Sequence, residues 1–168
     1  MIDVVIGMGS NFDAENYLPK AVGHLTERFG ILKLSKVYQS SALVKESINS
    51  VSDFSLGGVE QDYLNMAVAF EVAPHDCSAV CVIKILKEIE STLGRKIASK
   101  EKRQITIDLD LLLYGDDPID IDARLYPAKE ELCHSFVLAP LSDVVGHKRH
   151  AYGEKSYSHY WQAYDKNH

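Results

Sequence analysis

Ile105-Thr106-Ile107-Asp108-Leu109-Asp110-Leu111-Leu112-Leu113-Tyr114 is the stretch whose reading decides the fold. Its odd-numbered residues Ile105, Ile107, Leu109, Leu111 and Leu113 are all large and apolar. That alternation predicts a strand over about 104–114 with these five side chains on the core. Asp108 and Asp110 then share the opposite face, roughly 6.5–7 Å apart along the strand. Gly115-Asp116-Asp117-Pro118 stops it.

Working backwards, Arg95, Lys96, Lys100, Lys102 and Arg103 form a basic connector ahead of this strand. Before the connector, Val80, Ile83, Leu86, Ile89 and Leu93 recur at helical spacing. Pro74 and Asp76 are expected to open that helix and Gly94 to close it. Tyr63 to Phe70, within Asp62–Val72, reads as another strand. The Ser/Gly-rich stretch from Gln39 to Gln61, including Gly57 and Gly58, reads as a long surface loop. Loops of that length are often functional lids. Further back lies a strand over about Ile31–Tyr38. A helix precedes it, with Tyr17, Leu18, Val22, Leu25 and Phe29 on one face, Asn11 or Asp13 as its cap and Gly30 at its end. The chain opens on a strand through Val4, Val5 and Ile6.

The predicted order is βαββαβ. In an α+β ferredoxin-like fold, an antiparallel sheet carries its two helices on one face. Beyond Ile119 the expectation is loops, one short helix near Ser135–Val145, and a C-terminal extension partly ordered by Tyr152, Tyr157, Tyr160 and Trp161.

The 168 residues suit one domain, and 46% hydrophobic with 25% charged residues are globular proportions. Lysine plus arginine number 18 against 24 aspartates plus glutamates, a net charge of −6. Such a chain is not built to bind nucleic-acid backbone. No apolar run approaches the ~20 residues of a membrane span, so no membrane partner is expected. Cys77, Cys81 and Cys133 are an odd set without a basic secretory start, which points to reduced thiols in a cytoplasmic protein. No histidine pair has metal-ligand spacing, and His147 and His150 are expected to be solvated.

Two neighbouring carboxylates on a strand repel one another. A hard divalent cation between them removes that cost. The alternative is a solvated face carrying two chance acids. The basic connector beside them suits a polyphosphate ligand, and equally suits a solubilising loop. Gly9-Ser10-Asn11 ends a strand near a helix start, where free N–H groups attract anions. In Asp62-Tyr63-Leu64-Asn65, Tyr63 and Asn65 share a face; an amide there can pair with a heterocycle edge, or both can be ordinary strand residues. Phe136 is either an aromatic wall or core.

Over about residues 1–141 the chain resembles the 6-hydroxymethyl-7,8-dihydropterin pyrophosphokinase family. The resemblance lies in Gly9-Ser10-Asn11, Asp62-Tyr63-Leu64-Asn65 with Ala67-Val68-Ala69, Ile89-Glu90 with Gly94-Arg95, Thr106-Ile107-Asp108-Leu109-Asp110, and Phe136-Val137-Leu138-Ala139-Pro140-Leu141. It implies the ferredoxin-like fold and transfer of pyrophosphate from ATP, with two Mg²⁺ ions, to a pterin hydroxymethyl group in folate synthesis. It implies Asp108 and Asp110 as metal ligands and, with Arg95, as the catalytic set. It implies Ser40, Leu43, Tyr63, Asn65 and Phe136 around the pterin, and Glu90 and Arg95 on the nucleotide side; Lys102, Arg103 and Arg124, as substitute cations, and Leu111 are expected on that side too. The domain is expected over 1–146, with a tail over 147–168, working as a monomer with ATP and a pterin as its partners. Ile105, Ala128 and His134 stand where the family has cations. The second reading is therefore a paralogue that binds a pterin or nucleotide as a sensor or partner protein.

Overall fold

The structure, a computed structural model, describes residues 1–40, 62–73, 75–94 and 104–166. The expected lid over 44–61, the basic connector, and Leu43, Arg95, Lys102 and Arg103 lie outside the described residues.

The central antiparallel sheet contains β1 (Ile2–Ser10), β2 (Lys33–Leu34), β3 (Tyr38–Ser40), β4 (Tyr63–Val72) and β5 (Asp108–Tyr114). Its order is β2-β4-β1-β5, with β3 also on β4. The two longest strands, β1 and β4, pair in register from Ile2↔Val72 to Ser10↔Leu64. This is the strand arrangement expected of βαββαβ. The expected second strand is split, because Ser35 turns its hydroxyl onto the Ala67 N–H (2.8 Å) and Lys36 N–H is taken by Asp143 (3.0 Å).

Helices α1 (Ala14–Phe29) and α2 (Ala79–Thr92) cover one face. Val4, Ile6, Met8, Leu18, Leu25, Val68, Phe70, Val82, Leu86, Ile89, Leu109 and Leu111 make that core. Gly30 closes α1 at φ 80° and bonds back to Thr26 O at 2.9 Å. Asp13 stands at the N-cap without a side-chain capping bond; Asn11 is engaged elsewhere. Ser78, rather than Asp76, caps α2 by accepting from Cys81 N–H. The buried stripe accordingly runs Ala79, Val82, Leu86, Ile89, and Val80 is exposed.

The other face is also covered, contrary to the expectation of helices on one face only. α3 (Ser135–Val145) packs on β4 and β3, and α4 (Tyr157–Asp165) packs on α3. Val5, Ala67, Leu112, Leu113, Leu138, Leu141, Val144 and Tyr157 form this second core. Leu113 belongs here because β5 bulges. Val5 pairs with Leu113 but Ile6 pairs with Leu111, so Leu112 is the extra residue. The bulge shifts the alternation by one residue. A Cβ on Gly7 would lie 3.0 Å from Leu112 Cδ1, so a glycine leaves the room that Leu112 fills.

Residues 147–166 fold back onto the domain. Lys148 bridges Asp3 (2.5 Å) and Asp116 (2.6 Å), and Arg149 pairs with Asp117 (2.8 Å). Tyr157 is fully buried. His150 is not solvated: its ring packs on Tyr157 and Tyr160, its Nδ1 accepts from Tyr152 N–H, and burial lowers its pKa. Between β5 and α3, where loops are expected, lies a hairpin of β6 (Ile119–Ile121) and β7 (Arg124–Tyr126).

Candidate active site

Paired residues on neighbouring strands point to the same side of a sheet. Tyr38 pairs with Asn65, Asn65 with Gly9, and Gly9 with Asp108. One row across four strands therefore carries an aromatic, an amide, a gap and a carboxylate. In the next row, Ala67 faces Gly7 and Gly7 faces Asp110. The two glycines hold the amide and the carboxylates apart without a side chain between them.

At the amide end, Asn65 is buried and its Nδ2 donates to Ser40 Oγ at 2.8 Å. That bond fixes which way the amide faces. The Oδ1 atom is turned to the Gly9 side, 3.4 Å from where a Cβ on Gly9 would stand. Tyr63 pairs with Ser40 one step further along β4. Tyr38, unremarked in the sequence, donates to Asp143 on α3 (2.9 Å), and Trp161 of α4 meets its ring edge-on at 6.5 Å. Burial first, and then Asp143, push the Tyr38 hydroxyl up to about 12. Phe136 lies in the first turn of α3, half-buried, and His134 stacks on it at 5.0 Å and 12°.

At the carboxylate end, solvent reaches the Asp110 side chain, yet surrounding protein displaces enough water to raise its pKa. Lys87 opposes the rise, Glu131 and Glu90 add to it, and Arg124 opposes it. Lys87 and Glu131 carried no signal in the sequence beyond an i,i+3 spacing of Lys87 to Glu90. Arg124 pairs with Glu131 at 3.1 Å and lies over the Tyr126 ring at 4.9 Å. Glu90 is buried and its Oε1 accepts from Leu109 N–H at 2.8 Å. Leu111 is buried in the core, which removes its side chain from any nucleotide contact.

Gly9-Ser10-Asn11 is a clasp rather than an open helix start. Asn11 donates its N–H to Ile105 O (3.1 Å) and accepts Ile105 N–H on Oδ1 (2.6 Å), and Ser10 Oγ also reaches Ile105 O (3.3 Å). The clasp holds the chain entering β5 against the end of β1, so that entry approaches out of regular strand. Ile105 is consequently half-exposed, not core. Next to it, the Thr106 hydroxyl is buried without a hydrogen-bond partner.

The profile of the family described as 7,8-dihydro-6-hydroxymethylpterin-pyrophosphokinase (HPPK) matches residues 5–146. An Arabidopsis thaliana mitochondrial folate synthesis bifunctional protein is 32% identical over 146 residues, covering 86% of this chain and 24% of that protein. A 2-amino-4-hydroxy-6-hydroxymethyldihydropteridine pyrophosphokinase of Bacillus subtilis is 28% identical over 144 residues, covering 83% of this chain and 75% of that enzyme. Among solved structures, wild-type Plasmodium falciparum HPPK-DHPS with pteroate superposes at a TM-score of 0.69 and 12% identity, covering 99% of this chain and 45% of that one. The chain thus spans about a quarter of the Arabidopsis protein and under half of the Plasmodium one. The structural match extends through the C-terminal helix.

Proposed function

This chain belongs to the 7,8-dihydro-6-hydroxymethylpterin-pyrophosphokinase family, and we propose that it transfers pyrophosphate from ATP to 6-hydroxymethyl-7,8-dihydropterin. The observation that carries the proposal is the row Asn65–Gly9–Asp108, with Asp110 beside it: an oriented amide and a carboxylate pair on one face.

The pterin occupies the amide end. Asn65 presents Oδ1 to the ring's N–H edge, Ser40 holds the amide in that orientation, and Phe136 and Tyr63 wall the heterocycle. The triphosphate lies at the carboxylate end. The pterin hydroxyl oxygen attacks the β-phosphorus, the bond from that phosphorus to the oxygen bridging the α-phosphate breaks, and AMP leaves.

Asp108 and Asp110 fit Mg²⁺. Among the described residues no three or more histidine, cysteine or acidic side chains gather to enclose a cation. A pair of strand carboxylates suits an ion that shares its coordination with substrate phosphates. Asp108 and Asp110 would hold the ion, and the chemistry it would supply there is neutralisation of phosphate charge.

Arg124 supplies cationic charge to the phosphates, together with Arg95, Lys102 and Arg103. It bears electrostatically on Asp110. It therefore supports turnover despite the non-cationic Ile105 and Ala128, and it weighs against a binder that transfers nothing. Incubation with Mg-ATP and the dihydropterin should release one AMP per pterin consumed. Absence of AMP in the wild-type protein would overturn the assignment, and persistence of AMP in Asp110→Ala would overturn the metal site.

A further inference from the structure

The residue between the two site aspartates is held from outside the sheet. Among the described residues β5 is an edge strand, bonded to β1 on one side. Antiparallel strands point the N–H and C=O of one residue to the same side. At Leu109 both point away from β1, and both are met by side chains of α2. Glu90 Oε1 accepts from Leu109 N–H at 2.8 Å, and Lys87 Nζ approaches Leu109 O at 3.4 Å. Lys87 also donates to both oxygens of Glu90, at 2.9 and 3.0 Å. The ion pair stands where the next strand's backbone would stand. The Leu109 side chain is itself buried against α2, which fixes the residue on a second axis.

We infer that Lys87 and Glu90 are positioning residues that set the spacing and orientation of Asp108 and Asp110 for a metal–triphosphate ligand. This rests on the function proposed above. Glu90 is buried on the α1/α2 side of the sheet while the aspartates face the opposite side. It therefore acts on the two aspartates through Leu109. Exposed edge strands fray and slip where nothing covers them. A frayed Leu109 would swing the two carboxylates independently, because each is attached one residue away. A buried carboxylate is tolerable here because Lys87 neutralises it and the Leu109 N–H satisfies it.

The test compares Glu90→Ala, Glu90→Gln and Lys87→Ala with wild type, well below their melting temperatures. It reads the dissociation constants of Mg-ATP without pterin and of dihydropterin without nucleotide. Glu90→Ala should weaken Mg-ATP about tenfold, the scale of one lost hydrogen bond in a charged network. The pterin constant should stay within about twofold, because Asn65 sits two strands away. Glu90→Gln keeps an acceptor for Leu109 N–H and should recover most of the loss. Lys87 is half-exposed; Lys87→Ala should fold and weaken Mg-ATP by a smaller factor, and it decides the matter if Glu90→Ala does not fold. Equal loss for both ligands, or unchanged Mg-ATP affinity in folded Glu90→Ala and Lys87→Ala, would overturn the positioning role. Wild-type protein that binds no Mg-ATP would overturn the functional reading itself.

Discussion

The two ends of the row across β3, β4, β1 and β5 differ in how their polar groups are arranged. Around Asn65 the bonds close within the protein: Asn65 donates to Ser40, Tyr38 donates to Asp143, and Trp161 backs the Tyr38 ring. The Asp110 carboxyl is held above its usual pKa, and the Thr106 hydroxyl is buried with no partner. In the function proposed above, the first end is the rigid template that a flat, weakly charged heterocycle needs, and the second takes a metal-bearing polyphosphate that brings its own charge and oxygens.

The largest effect that sharpens this contrast is on turnover. Asp110→Ala should cut AMP formation about 10³-fold, the scale of removing one group aimed at developing charge, while pterin binding measured by titration stays intact. Asn65→Ala should do the converse, raising the pterin KM about tenfold through a lost paired hydrogen bond with the ATP KM unchanged. Ser40→Ala leaves the amide in place but frees its rotation, so steady-state kinetics should show the same shift at about threefold.

Smaller effects appear in ligand-free stability. Asp110→Asn should raise the melting temperature at neutral pH, because the fold disfavours the ionised carboxyl. A raised folded-state pKa means the folded wild type takes up its proton first as pH falls. The penalty then disappears, and the gap between wild type and variant should narrow on acidification through that pKa. Thr106→Val removes a hydroxyl that nothing in the protein bonds, so calorimetry should find stability unchanged or slightly higher. A clear loss of stability in Thr106→Val would break the comparison at the carboxylate end.

Much of this arrangement was legible in the chain. The alternation through Ile107, Leu109 and Leu111 placed Asp108 and Asp110 on one face, and the spacing of Tyr63 and Asn65 placed them together on another strand. Beyond Leu111 it misled. Leu111, Leu112 and Leu113 are all apolar, so either phase reads as buried, and the bulge opposite Val5 and Ile6 has no sequence mark. Val80 was misplaced for a related reason: shifting the start of α2 to Ser78 rotates the buried stripe onto Val82. Lys87 was unreadable because its importance depends on which strand α2 faces. His150 looked like part of a basic, solvated tail, and only the fold-back of α4 brings Tyr157 and Tyr160 against it.

In the proposed function one sheet face carries two separable half-sites. The most direct measurement is a pair of dissociation constants, Mg-ATP and dihydropterin, on Asn65→Ala and Asp110→Asn. Each variant should lose affinity for one ligand and keep it for the other, Asn65→Ala losing the pterin and Asp110→Asn losing Mg-ATP. If either variant weakened both ligands equally, or if Asp110→Asn bound Mg-ATP as wild type does, the two-ended site would be contradicted.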